Sequence, residues 1–95
     1  MGRKFKNENT DFLVDCIMQI KTPEECYNFF QDLCTVTEFH AMAQRCVVAK
    51  MLSEKNVYAD IVSATGASTA TISRVNRSLQ DGADGYDVVF ERLGK

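Results

Sequence analysis

The chain has 95 residues, enough for one small domain and too few for two hydrophobic cores of ordinary size. Hydrophobic residues make up 45 % of it and charged residues 25 %, which is typical of a folded chain and excludes a disordered one. The formal net charge of -2 excludes a uniformly basic nucleic-acid coat, whereas a local basic patch can still bind DNA.

Cysteine and histidine usage indicates neither a metal site nor an enzyme. Cys16, Cys26, Cys34 and Cys46 form no C-x-x-C pair, and the single histidine, His40, lies six residues from the nearest of them. The cysteines fall among apolar residues at helical spacing, so we expect buried free thiols in a reducing cytoplasm. We see no signal peptide, no apolar run long enough for a membrane span and no catalytic or phosphate-loop motif. We therefore expect a cytoplasmic chain without membrane contact, cofactor or enzymatic activity.

A flexible basic arm is predicted over residues 1–9, and a first helix follows it. The arm owes its positive charge to Arg3, Lys4 and Lys6. The helix is predicted because apolar residues recur on one helical face, and Asn9 or Thr10 is suited to cap it. These apolar residues are Phe12, Leu13, Cys16, Ile17 and Ile20.

The second predicted helix carries more apolar surface than a small monomer can cover. Thr22 suits its N-cap, and Pro23 suits its first position, where the missing N–H costs nothing. Phe29, Phe30 and Leu33 then belong to a broad apolar arc. An arc of this width on so short a helix favours an oligomer.

A long third helix and a short last helix are also predicted. Thr35 or Thr37 is suited to begin the third, which continues to about Ser53. Its polar side would consist of Gln44, Arg45 and Lys50. The last helix follows from the spacing of Tyr86, Val89, Phe90 and Leu93. Together with two helices between residues 57 and 79, the prediction is six helices and an all-α fold.

Residues 57–79 have the pattern of a helix-turn-helix. The first helix offers an apolar face, and Gly66 supplies the residue that tolerates positive φ in the turn. Ser68 or Thr69 can cap the second helix, whose Ile72 and Val75 would hold it against the first. The opposite face is small or polar, which allows the backbone to approach base edges in a major groove. It comprises Thr69, Ala70 and Ser73, with Asn76 and Arg77 as further candidates.

The alternative is an ordinary pair of core helices that ends in a glycine. Two features disfavour it. Five serine and threonine residues lie between Ser68 and Ser78, whereas a structural helix usually prefers leucine, alanine, glutamate and lysine. The only charges of the second helix before its end are Arg74 and Arg77, and both suit a polyanion.

These residues resemble a known family. The run TGASTATISRVNRSL looks like the helix-turn-helix of the Trp repressor family, especially of its YerC/YecD-type branch, and AMAQRCVVAKMLSEKNVYADI extends the match upstream. The resemblance covers about half of the chain closely and the N-terminal 35 residues in helix layout. It implies one six-helix domain over residues 1–95, an intertwined homodimer whose N-terminal helices interlock, and two flanking helix-turn-helix heads.

The resemblance also implies how DNA would be bound. The base-facing residues would be Thr69, Ala70 and Ser73, with Ala59 and Val62 nearby on the first helix. Arg3, Lys4 and Lys6 of the arm are suited to phosphates. Two-fold symmetry implies a palindromic operator with half-sites about one helical turn apart.

The effector site is where this sequence departs from the Trp repressor. There, tryptophan is held by an arginine and a serine that match Arg74 and Ser78, and by a second arginine for which Arg45 is the candidate after a one-residue gap. The residue after the first arginine is glycine in the Trp repressor and Val75 here, and its side chain would fill space that the indole needs. We therefore predict that tryptophan is not the corepressor.

The sequence thus predicts a dimeric helix-turn-helix transcription regulator, most simply a repressor. The competing hypothesis is an all-α dimer that uses its heads to bind another protein without contacting DNA. The two hypotheses differ in salt dependence, because binding through phosphate contacts weakens steeply as salt rises.

Overall fold

The computed structural model describes residues 5–94, which form six α-helices and no β-strand. The helices are α1 (Glu8–Ile17), α2 (Pro23–Leu33), α3 (Val36–Ser53), α4 (Tyr58–Thr65), α5 (Thr69–Asp81) and α6 (Gly85–Arg92). This confirms the predicted all-α fold. The chain divides between Val36 and Thr37 into an N-terminal and a C-terminal compact unit.

The N-terminal unit contains α1 and α2, and each helix begins at a side-chain cap. The Asn7 side chain accepts a hydrogen bond from the Thr10 N–H (2.9 Å), and the Thr10 hydroxyl accepts one from the Asn7 N–H (2.7 Å). In this reciprocal capping box Asn7 is the N-cap and α1 starts at Glu8, so the cap lies two to three residues before the predicted Asn9 or Thr10. In α2 the Thr22 hydroxyl accepts from the Glu25 N–H (3.1 Å), which confirms the predicted Thr22 cap. Of the predicted arm, Arg3 and Lys4 lie outside the described residues.

No residue between 5 and 36 is buried. Phe12, Met18 and Tyr27 are 70 %, 72 % and 66 % exposed, and the partly buried Phe29 and Phe30 contact each other edge to face, with ring centres 5.5 Å apart. Apolar side chains that are this exposed contribute little stability through burial. In a single chain the N-terminal unit therefore lacks a hydrophobic core.

The predicted burial of the cysteines is wrong for the single chain. All four are free thiols, but Cys16, Cys26 and Cys34 are only partly buried and Cys46 is exposed. Helical spacing correctly identified the apolar helix faces on which the cysteines lie. It could not show that one chain leaves those faces partly exposed.

The C-terminal unit has a small, closed core. Six residues of α3, α4, α5 and the turn before α5 are at most 2 % exposed: Val48, Ala49, Ile61, Ala67, Ile72 and Val75. Tyr86 and Phe90 of α6 stack on each other and pack against this core. The core thereby fixes α4 and α5 against the long helix α3, and it positions the surface described next.

Candidate nucleic-acid interface

A short turn joins α4 to α5. Gly66 ends α4 in the left-handed conformation (φ 75°, ψ 4°), and its N–H donates to the Val62 carbonyl at 2.9 Å. Ser68 then caps α5, because its hydroxyl accepts from the Thr71 N–H at 3.1 Å. Both local predictions for this turn, the glycine with positive φ and a serine cap, are confirmed.

The two faces of α5 differ as the sequence predicts. Ile72 and Val75 are 0 % and 2 % exposed and belong to the core. On the other side four of the predicted DNA-binding residues are exposed: Thr69, Ala70, Ser73 and Arg77. The exposed side chains at the start of the helix are short, so nothing bulky stands between the backbone of its first turns and an approaching surface.

Helix α4 carries two further residues that the sequence predicts to lie near DNA, and both are exposed. Ile61 is fully buried against the core, whereas Ala59 is exposed and Val62 is 37 % exposed. The side chains of Ala59 and Val62 can make apolar contacts but, unlike the hydroxyl groups of α5, cannot form hydrogen bonds. Such contacts suit the methyl group of thymine or the sugar edges of a groove.

The charged residues of α5 before Asp81 are positive, whereas α4 carries the acidic Asp60 in its first turn. Arg74 and Arg77 are both exposed, and neither guanidinium is paired with a carboxylate in the described part of the chain. Both are therefore free to meet phosphate oxygens, for which a guanidinium is well shaped. Lys6 differs, since its ammonium forms an ion pair with Asp11. A phosphate contact by Lys6 would have to replace this pair.

The predicted effector residues have different surroundings in the single chain. Val75 lies in the core, and Arg45 and Arg74 are exposed. Ser78 lines an open cavity of about 490 Å³, together with Cys46, Tyr86 and Phe90. The hydroxyl of Ser78 also lies 3.4 Å from the Arg74 carbonyl, to which it donates.

Sequence reasoning placed Gln44 on the polar side of α3, whereas the structure connects it to the turn. The Gln44 side-chain amide is partly buried and donates to the carbonyl oxygen of Thr65 at 3.1 Å. The two residues are 21 positions apart, so no local pattern could have paired them. The sequence indicates only the local bonds of the Thr65 hydroxyl, because such hydroxyls often bond to nearby backbone groups.

The described residues contain no group of three or more histidine, cysteine, aspartate or glutamate side chains that could hold a metal ion. None of their helices combines the length and the apolar character that crossing a bilayer requires.

Comparisons with known proteins agree with one another. A family model described as Trp repressor protein matches residues 8–94. The uncharacterised protein YerC of Bacillus subtilis strain 168 is 49 % identical over 90 residues, which cover 95 % of this chain and 86 % of YerC. The crystal structure of a TrpR-like protein from Eubacterium eligens superimposes with a TM-score of 0.92 at 55 % identity, covering 96 % of this chain and 94 % of the other. That of a candidate Trp repressor from Staphylococcus aureus gives 0.92 at 48 % identity, covering 96 % and 91 %.

Proposed function

The chain belongs to the Trp repressor family, a family of regulators and not of enzymes, and we propose that it is a transcription repressor that binds a palindromic operator as a homodimer. Family membership supports DNA-binding regulation through a helix-turn-helix. The operator, the dimer and the sign of regulation are the proposal. A regulator of this kind acts where the DNA is, which in a bacterial cell is the cytoplasm.

The exposed face of α5 is the observation that carries the proposal. Its predicted base-facing residues, Thr69, Ala70 and Ser73, are all exposed, while Ile72 and Val75 hold the helix from behind. A hydroxyl can donate to or accept from a base edge, and the alanine methyl group can contact thymine. Arg77 and Arg74 supply positive charge for phosphates, with Ala59 and Val62 as secondary contacts from α4.

The homodimer is supported by the apolar surface of the N-terminal unit. Phe12, Met18, Tyr27 and Leu33 are each at least half exposed in the single chain, although large apolar side chains normally lie in a core. A second copy that interlocks these helices would bury them. Two heads related by two-fold symmetry would then meet two half-sites about one helical turn apart.

We further propose that tryptophan is not the effector of this protein. Val75 stands where the Trp repressor has glycine, and it is 2 % exposed within a core that includes Val48, Ile61 and Ile72. An indole placed there would have to displace a close-packed side chain, which costs about 1–3 kcal/mol or more. Isothermal calorimetry of the dimer with L-tryptophan should show no saturable binding at micromolar concentration, and saturable binding would contradict this proposal.

The test of function is selection of a duplex from a random pool, followed by affinity measurements over a range of salt concentrations. Arg77→Ala should weaken binding to selected and scrambled duplexes alike and reduce the salt slope by about one per lost phosphate contact. Ser73→Ala should change which sequence is preferred and leave the salt slope unchanged. Arg92→Ala, which removes the same charge from α6, serves as the matched control.

The competing hypothesis, a protein-interaction module, has a distinct outcome in this experiment. It is favoured if the wild-type dimer retains no duplex at low salt, or if Arg77→Ala and Ser73→Ala both leave DNA retention untouched. A monomeric chain in sedimentation at micromolar concentration would contradict the homodimer independently of DNA.

A further inference from the structure

We propose that Gln44 is a positioning residue for DNA recognition, which holds α5 at its working angle through a hydrogen bond to the turn before it. The inference rests on the proposed function, since it assigns the residue that makes the α5 face selective. Its basis is the 3.1 Å hydrogen bond from the Gln44 side-chain amide to the Thr65 carbonyl.

The accepting carbonyl is one that a helix end leaves without a partner inside the helix. Thr65 is the last residue of α4, and the last carbonyls of a helix need donors from elsewhere. The Thr65 hydroxyl adds two further bonds, because it donates to the Ile61 carbonyl at 2.7 Å and accepts from the Ala67 N–H at 3.1 Å. Thr65 is thus bonded to the residues before and after the turn, and Gln44 joins this small network to α3.

The hydrogen bond between Gln44 and Thr65 acts as a clamp on the turn, because packing around Gly66 does not hold the turn in place. Gly66 lies in the left-handed region with no heavy atom within 4 Å of where its Cβ would stand, so little packs against it. A glycine gives its backbone more freedom than any other residue. Ala67, which is 2 % exposed, and the Thr65 network limit rotation of α5 at the turn, and the buried Ile72 and Val75 limit it further along the helix.

Gln44 is anchored to a rigid part of the molecule. It stands one helical turn before Val48, which is fully buried, and side chains four apart lie on one face of a helix. The hydrogen bond therefore fixes the turn to α3, the helix against which α4 and α5 pack in the core. Base-edge contacts tolerate misplacement of only about 0.5 Å, whereas long arginine side chains can still find a phosphate after a small rotation of the helix.

The surroundings of this bond suggest that its loss would leave the fold intact. An open cavity of about 370 Å³ adjoins it, lined by His40, Ala43, Gln44, Val47, Ala64 and Thr65. Water can reach the Thr65 carbonyl through this cavity when the amide is removed, so no buried polar group is left without a partner. Removing the amide therefore affects the orientation of α5, which becomes less restricted, more than it affects the free energy of unfolding of the core.

The experiment compares Gln44→Ala with Gln44→Lys, which restores a donor and places a cation near the negative end of α4. Gln19→Ala is the matched control, because Gln19 also donates from its side-chain amide to a backbone carbonyl, that of Asp15 at 3.4 Å, but at the C-terminal end of α1. Three quantities are measured: affinity for the selected duplex, affinity for a scrambled duplex of equal composition, and amide hydrogen exchange of Ala67 in the free protein.

Gln44→Ala should lower the ratio of selected to scrambled affinity by about tenfold, with an unchanged salt slope and faster exchange at Ala67. Gln44→Lys should recover most of the ratio, and Gln19→Ala should leave it unchanged. Equal weakening on both duplexes, an unchanged ratio, or no recovery in Gln44→Lys would overturn the inference.

Failure of the proposed function has a different signature. In that case wild-type protein does not distinguish the selected duplex from the scrambled one, whatever stands at position 44. The rate of amide hydrogen exchange at Ala67 then shows whether Gln44 holds the turn. An unchanged rate in Gln44→Ala refutes the clamp itself, whereas a faster rate supports the clamp and refutes only its role in DNA recognition.

Discussion

Two neighbouring residues of α5 should respond to substitution in opposite ways. Ile72 is fully buried and Ser73 is exposed, although one peptide bond separates them. Ile72→Ala removes three carbons from the core, worth about 2.4 kcal/mol of transfer free energy, and the cavity left behind raises the loss of unfolding free energy to roughly 3–4 kcal/mol. Ser73→Ala removes an exposed hydroxyl and should change that free energy by less than about 0.5 kcal/mol.

The assay is urea unfolding followed by circular dichroism, with all variants at one chain concentration because the proposed dimerisation would add to the apparent stability. A loss of 3–4 kcal/mol is a large share of the 5–15 kcal/mol typical of small proteins, so Ile72→Val is included as a milder change that should cost about 0.5–1.5 kcal/mol. The reasoning is refuted if Ile72→Ala costs less than 1 kcal/mol, or if Ser73→Ala costs more than Ile72→Val.

Four further substitutions test the turn before α5 and the two ends of that helix by the same urea assay. Gly66→Ala should cost about 1–2 kcal/mol through backbone conformation alone, since φ is +75° and nothing crowds the site. Gly82→Ala should cost about 1–3 kcal/mol for a different reason: its Cβ would stand 2.3 Å from the backbone carbonyl oxygen of Ser78, so the helix end must move. Ser68→Ala should cost about 1 kcal/mol by removing the N-cap, and Ser68→Asp should recover it; equal stability of Ser68→Ala and wild type would contradict the cap.

Local chemistry was sufficient to predict the helices and the turn. Thr22 before Pro23, Gly66 in the turn and Ser68 after it each act within a few residues of themselves, so their effects can be read directly from the sequence. The separation of α5 into a buried face and an exposed face follows from the helical period in the same way. The start of α1 was misplaced because Thr10, one of the two predicted caps, is the third residue of the helix and completes a reciprocal capping box with Asn7.

The features that escaped prediction depend on contacts between distant parts of the chain. Gln44 meets Thr65 only because α3 and α4 pack together, and Lys50, expected on a solvated face, lies 5.5 Å from the centre of the Phe90 ring. The exposure of Cys46 has the same origin, since a residue on an apolar helix face is buried only where something covers it. Periodicity identifies a face of a helix but not the surface that meets it.

The distribution of charge limits how such a protein could bind DNA. The chain carries 13 acidic and 11 basic side chains, and Arg74 and Arg77 are the only charged residues of α5 before Asp81. A protein of net negative charge gains little from non-specific attraction to phosphates, which supplies most of the sequence-independent affinity of basic DNA-binding proteins. Base-edge contacts from short hydroxyl side chains must then contribute a larger share of the affinity. Because short side chains cannot compensate for a misplaced backbone, the proposed function makes the orientation of α5 more important here than in a strongly basic protein, and the clamp through Gln44 acts on that orientation.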